Sequence, residues 1–142
     1  CRLVSAAAER ARQSGAELLV VSELCISGYP PKDLLLRAGF VAACDSAVQQ
    51  LATMTDDRLG ILVGHPTRQG CGPDGIGNAA SLLYRERVES TLLKMLLPNY
   101  DVFDEKRYFQ PALQIHPVSF LGRRLGVHLC EDAWWGEPAR SL

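Results

Sequence analysis

A carboxylate, an ammonium and a thiol each stand where an apolar stretch ends. Glu23 directly follows residues 18–22 (LLVVS), Lys94 closes residues 88–93, and Cys130 follows Gly126-Val127-His128-Leu129. Ligands in open α/β sheets gather beyond the carboxyl ends of strands, so three such residues can converge. Their chemistry is complementary. A thiol has a reference pKa of about 8.5 and is a modest nucleophile at neutral pH. A base that takes its proton, or a cation that favours the thiolate, activates it. Glu23 can serve as that base, return the proton to a leaving ammonia, and then activate water against a thioester. Lys94, with a backbone N–H just after Cys130, can stabilise a tetrahedral oxyanion. The reaction such a set performs is amide hydrolysis.

Each residue also has a bland reading. A Glu after a strand is commonly solvated or held in a structural ion pair. A Lys there commonly snorkels to water. A Cys after a buried strand is commonly inert packing. Taken one at a time, the bland reading wins for each; what changes it is the sequence around the residues.

The elements that must position these groups follow from periodicity. Leu3, Val4, Ala7, Ala8 and Ala11 share one helical face, and Gly15 follows at the usual left-handed stop. The continuous run 18–22 predicts a strand buried on both faces. Ser27-Gly28-Tyr29-Pro30-Pro31 must be a loop. Asp33 starts a short apolar segment, 34–36, and Phe40, Cys44, Val48 and Leu51 mark a second amphipathic helix. Strands are predicted at 59–64, 79–84 and 88–93, the last two joined by Arg85-Glu86-Arg87. Residues 98–111 form a long loop rich in aromatic and charged residues, a type often functional. Two further strands, 113–120 and 125–129, flank Gly122. This order predicts an α/β layer structure with a mixed sheet.

The totals fit one domain with a real core: 142 residues, 47% hydrophobic, net charge −1. That charge gives no basis for attraction to nucleic acid or an anionic membrane, and no apolar run spans a bilayer. Five cysteines at scattered positions argue against a disulfide framework and for a reducing cytoplasm. The chain begins with Cys1 inside a predicted helix and ends at Leu142 without a cap, so it reads as a piece of a longer protein.

Three segments resemble the nitrilase (carbon–nitrogen hydrolase) superfamily: Ser22-Glu23-Leu24-Cys25-Ile26-Ser27-Gly28-Tyr29, Lys94-Met95-Leu96-Leu97-Pro98, and Gly126-Val127-His128-Leu129-Cys130-Glu131-Asp132. They stand in the family's order. Two longer stretches, 29–37 (YPPKDLLLR) and 97–109 (LPNYDVFDEKRYF), resemble the glutamine-dependent NAD synthetases within it. The resemblance implies an αββα sandwich, incomplete here because the family's first strand and C-terminal part are missing. It implies Glu23, Lys94 and Cys130 as the catalytic triad, Glu105 as the carboxylate supporting the lysine, and Tyr100 and Glu131 lining a glutamine pocket. Residues 1–142 would then be part of a glutamine amidohydrolase domain that needs no cofactor. ATP and Mg would belong to a synthetase domain of the same parent chain, to which the ammonia passes. The resemblance also implies a homo-oligomer. Two alternatives share the sequence: a stand-alone nitrilase-type amidase on another small amide, and an inactive fragment with an exposed core and sheet edge.

Other signals carry less. Residues 70–75 fit GxGxxG, but a strand follows where a dinucleotide loop needs a helix, so this reads as a hairpin loop. His128 and Cys130 could share a strand face as a metal pair would, yet no further ligand has suitable spacing. His65 and His116 each precede Pro and read as loop-end residues. Lys106-Arg107 reads as a solvated or loop-pinning pair. Trp134-Trp135 can wall a pocket or simply pack.

Overall fold

The computed structural model describes residues 1–140 and 142. Helix α1 (Arg2–Gln13) is followed by Gly15 at φ 73°, a conformation glycine adopts without a Cβ penalty. Strand β1 (Leu18–Val20) comes next, then a short 3-10 helix (Lys32–Leu36) and helix α2 (Phe40–Ala52). Strands β2 (Gly60–Thr67), β3 (Gly77–Tyr84) and β4 (Arg87–Leu93) complete a four-stranded sheet in the order β1-β2-β3-β4. β1 runs parallel to β2, and the other pairs are antiparallel, giving the mixed sheet expected. Strands β5 (Val118–Phe120) and β6 (Arg123–Leu125) form a separate hairpin, and α3 (Gly136–Arg140) follows.

Strand alternation sorts the core. Ile61 and Val63 of β2 and Leu83 of β3 face Val4 and Ala8 of α1 and Val48 and Leu51 of α2. The opposite face carries Ala80, Leu82, Tyr84 and Leu92 against Val118 and Phe120 of the hairpin and against Val127 and Leu129. Tyr84 and Phe120 meet edge to face with centroids 5.2 Å apart. The layers thus run helices, sheet, hairpin. A third cluster, including Leu24, Leu35, Leu97 and Phe109, lies beneath the loops at the strand ends.

Four boundaries differ from the sequence reading. β1 is a sheet edge, paired to β2 alone, and Val20 is 62% exposed, so the strand is not buried on both faces along its length. β2 continues past Gly64 through His65 and Pro66, so His65 is a buried strand residue and not a loop end. β1 is paired with β2 only as far as Leu62, and a strand with one free side tolerates the missing N–H of Pro66. The predicted strands 113–120 and 125–129 shrink to three residues each. Pro117 cannot extend a ladder. Val127 and Leu129 are buried while His128 is exposed, yet this stretch is extended without strand pairing: alternation reports burial, and not hydrogen bonding. The 98–111 loop also contains a 3-10 turn, Glu105–Arg107.

The β3–β4 connection is tight. Arg85 and Glu86 take φ 52° and 62°, the double left-handed geometry that matches the twist of a two-residue hairpin. Residues 70–75 fall in the connection between antiparallel β2 and β3, as the hairpin reading requires. His116 is exposed before β5, as a loop-end residue would be.

Candidate active site

β1 ends at Val20, the chain stays against β2 through Val21 N–H to Leu62 O (3.0 Å), and it then turns sharply at Glu23. Leu24 has φ 51° and is fully buried, and Ile26 N–H returns to Gly64 O at 3.2 Å. Gly64 makes this crossing possible. A Cβ there would stand 2.6 Å from the Leu24 nitrogen and 2.8 Å from the Glu23 Cα. The backbone at Glu23 is therefore held against β2 at Gly64, in the turn that follows β1.

Lys94 is the residue after β4. Its N–H donates to Asn78 O and its C=O accepts from Ala112 N–H, both at 2.8 Å. Its side chain is fully buried. Nζ donates to Glu23 Oε1 at 2.7 Å and lies 2.9 Å from both oxygens of Glu105. Glu105 opens the 3-10 turn in the long loop, anchored by its N–H to Pro98 O at 3.1 Å. Burial works against the ammonium, but the hydrogen bonds to Glu23 and Glu105 outweigh it and hold the Lys94 pKa above the usual lysine value. A buried ammonium is tolerable only with such partners.

Cys130 begins a third 3-10 turn, Cys130–Ala133, directly after extended Leu129. Its φ of 48° is left-handed, an uncommon conformation for a residue with a Cβ, and its side chain is exposed at the bend. Strained exposed turns of this kind recur at nucleophiles. Burial of the sulfur and then the Glu23 charge push the thiol above its ordinary pKa, while Lys94 and a hydrogen bond from the Glu131 backbone pull it down. The phenol of Tyr29 shares this field. Its pKa is raised by burial and by the charges of Glu105 and Glu23.

Tyr100 Oη donates to Glu131 Oε2 at 2.9 Å, and Trp135 Nε1 donates to Glu131 Oε1 at 3.1 Å. These residues, with Leu96, Pro98 and Phe109, line an open groove of about 910 Å³. A smaller cavity of about 220 Å³ touches Tyr29, Leu35, Phe103 and Glu105. Trp135 thus lines the groove, although both tryptophans are largely exposed, Trp134 at 72% and Trp135 at 61%. Arg107 stacks on Tyr108 and pairs with Asp104 at 3.8 Å, a loop-pinning role. Among the described residues, no three His, Cys, Asp or Glu side chains are grouped to hold a metal ion.

The structure therefore joins Glu23, Lys94 and Glu105 by hydrogen bonds, places Cys130 within the field of their charges, and joins Tyr100 to Glu131. Sequence reasoning assigned no role to two buried polar residues here. Asn78 donates to Glu23. Asp132, fully buried, accepts the N–H groups of Leu96 at 2.8 Å, Met95 at 3.2 Å and Leu129 at 3.4 Å. Burial pushes the Asp132 carboxyl up, against those backbone donors. A polar residue inside an apolar strand, and a second acid after Glu131, were the available signals.

The fold is an α/β layer structure of the nitrilase type. Residues 2–142 match the carbon-nitrogen hydrolase family, and the chain belongs to it. Among curated proteins it is similar to the glutamine-dependent NAD(+) synthetase of Xanthomonas campestris, at 45% identity over 87% of this chain and 22% of that protein. The Xylella fastidiosa synthetase is 43% identical over 92% of this chain and 24% of its own length. The chain spans about a quarter of the length of these relatives. The solved Acinetobacter baumannii glutamine-dependent NAD+ synthetase superposes with a TM-score of 0.88 and 31% identity, over 98% of this chain and 26% of that one. An amidase from Nesterenkonia sp. superposes at 0.80 with 29% identity, over 99% of this chain and 52% of that one. The nitrilase-type α/β fold read from the motifs is therefore present. No helix among the described residues is long and apolar enough to cross a membrane.

Proposed function

We propose that residues 1–142 form the catalytic part of a glutaminase domain in a glutamine-dependent NAD synthetase. The observation that carries this is the buried contact of Lys94 Nζ with Glu23 Oε1 and Glu105, beside a left-handed Cys130. In this reading Glu23 takes the proton of Cys130, and the sulfur attacks the side-chain carboxamide carbon of glutamine. Lys94 and the Glu131 N–H stabilise the oxyanion. The C–N bond breaks, the proton held by Glu23 leaves on ammonia, and a thioester remains. Glu23 then deprotonates water, which attacks the thioester and releases glutamate and the thiol. Glu105 keeps Lys94 in place. Glu131, its two oxygens already fixed by Tyr100 and Trp135, keeps lone pairs for the substrate's ammonium.

Hydrolysis by these residues calls for no cofactor. The ammonia would serve an ATP- and Mg-dependent synthetase domain of the same parent chain, in a cytoplasmic homo-oligomer. The five free cysteines suit that reducing compartment. A second reading, a stand-alone amidase on another small amide, is favoured by the similarity to the Nesterenkonia amidase over nearly the whole of this chain. In a solved mutant of that amidase, acrylamide has added at the active-site cysteine.

The test is mass-spectrometric labelling with a diazo-ketone analogue of glutamine, on the protein at its natural length, beside Cys130→Ala and Glu23→Gln. One label on Cys130, blocked by glutamine and slowed in Glu23→Gln, is the expected result. Labelling scattered over the cysteines and indifferent to glutamine would sink the assignment. Labelling of Cys130 that only a different amide blocks would favour the amidase reading.

A further inference from the structure

Asn78 is fully buried at the second position of β3, where an apolar residue would suit the surrounding core. Its Nδ2 donates to Glu23 Oε1 at 2.7 Å. Lys94 Nζ donates to the same oxygen at the same distance. The Asn78 backbone carbonyl accepts the Lys94 N–H at 2.8 Å. One residue thus ties the side chain of Glu23 to the backbone of Lys94. Among the described residues, no hydrogen bond is made to Glu23 Oε2.

The Asn78 Oδ1 is buried without a partner. Leaving a buried acceptor unpaired is destabilising, and a hydrophobic side chain would avoid it. The amide earns its place through its donor end. That donor is neutral, as the surroundings require. Glu23 and Glu105 already share one ammonium, so a third carboxylate would repel both.

We infer that Asn78 is a positioning residue for the proton transfer: with Lys94 it pins Glu23 through Oε1 and leaves Oε2 as the oxygen that takes the Cys130 proton. The inference rests on Glu23 being the base. In the step, the S–H bond breaks, its electron pair stays on sulfur, and the proton bonds to Oε2. The same proton later leaves on ammonia. A carboxylate held by two donors on one oxygen has little freedom to rotate, so its second oxygen keeps a fixed aim. A misplacement of about 1 Å costs on the order of a hundredfold in rate.

The experiment compares Asn78→Asp, Asn78→Ser, Ser81→Ala and Glu23→Gln in the protein at its natural length, by steady-state glutamine hydrolysis. Asn78→Asp replaces the donor with a like charge; Asn78→Ser adds no charge and shortens the side chain, so that its hydroxyl no longer reaches Glu23 Oε1, and answers the question if the Asp variant fails to fold. Ser81 is equally buried in the same strand but bonds to His65 and Thr91, away from Glu23. Both Asn78 variants should lose about a hundredfold in kcat with the glutamine KM within about threefold, because positioning acts on the transition state. Ser81→Ala should keep its kcat. The inference is overturned if Asn78→Ser keeps its kcat while Glu23→Gln is inactive. It is also overturned if the loss falls on KM alone or if Ser81→Ala shares it. If Glu23→Gln itself keeps its kcat, the base assignment fails and this inference falls with it.

Discussion

The carboxylate of Asp132 accepts the Leu96 N–H at 2.8 Å, across 36 residues of sequence. Its other oxygen lies 3.4 Å from the Leu129 nitrogen, one residue before Cys130, and the Met95 N–H is also in reach. One buried acid therefore spans the segment just after Lys94 and the segment just before Cys130. The relative placement of ammonium and thiol depends on it.

Asp132→Ala would leave three backbone N–H groups without their acceptor, at about 1–3 kcal/mol for each buried donor left unpaired. It should lower the urea midpoint clearly and reduce glutamine hydrolysis by about tenfold or more. Asp132→Asn keeps one acceptor oxygen for Leu96 and should fall between the two. Paired urea unfolding and rate measurements check this. An Ala variant with wild-type midpoint and rate would show that the loops hold themselves.

Gly64→Ala tests the crossing beneath Glu23. The added Cβ would meet backbone on three sides, at 2.6 Å from Leu24 N, 2.6 Å from Ser22 O and 2.8 Å from Glu23 Cα. Backbone cannot swing aside as a side-chain tip can, so Glu23 must shift. Overpacking of this kind destabilises by about 1–3 kcal/mol. The loss of hydrolysis should exceed what the melting shift explains, measured at a temperature where the variant is fully folded. A variant with normal turnover would mean that the Glu23 turn has slack.

Much of this arrangement was legible before the structure. The amphipathic faces of α1 and α2 and the paired strands β3 and β4 follow from local patterns, because burial sets side-chain period directly. The meeting of Glu23 with Lys94 was readable because each stands just past an apolar stretch, and that of Glu105 with Lys94 because the motif around it implied a partner for the lysine. Asn78 and Asp132 were not legible as site residues. Their partners lie 55 and 36 residues away, at Glu23 and Leu96, and no local period encodes such a bond. His65 was misread for a similar reason: the Pro after it signals a loop, but the strand's free side at that point removes the penalty.

Buried His65 gives the fold a pH dependence with a definite sign. Pro66 O, 3.2 Å from Nδ1, can only accept, so Nδ1 carries the proton and Nε2 accepts from Ser81 Oγ at 2.8 Å. Burial lowers the His65 pKa, against the Pro66 carbonyl and Asp45. The folded pKa thus lies below the unfolded value of about 6.5, and the unfolded chain binds the extra proton first. The His65 contribution is intact above that pH and is lost as pH falls below it towards the folded pKa. Stability measured by urea between about pH 7.5 and 5.5 should decline more steeply in the parent than in His65→Gln, which has no proton to gain. Equal slopes would place His65 in contact with water.

The thiol of Cys130 offers the sharpest electrostatic test, because its neighbours push in opposite directions. Burial and then the Glu23 charge raise its pKa, while Lys94 lowers it. In Glu23→Gln the raising charge is gone and Lys94 acts with less opposition. Alkylation of Cys130 by a small neutral electrophile, which needs no proton from the site, should then turn on at a lower pH than in the parent, since the thiolate is the reacting form, whereas the diazo-ketone, whose carbon must be protonated before sulfur displaces nitrogen, is slowed without Glu23. Glutamine hydrolysis in the same variant should collapse, because no base remains to return a proton to ammonia or activate water. Lys94→Met removes the lowering charge and should move the alkylation profile to higher pH. The two variants thus shift one curve in opposite directions while both lose turnover, a pattern that general unfolding cannot produce. If neither variant moves the profile, the sulfur lies outside the field of both residues, and the three groups do not work as one site.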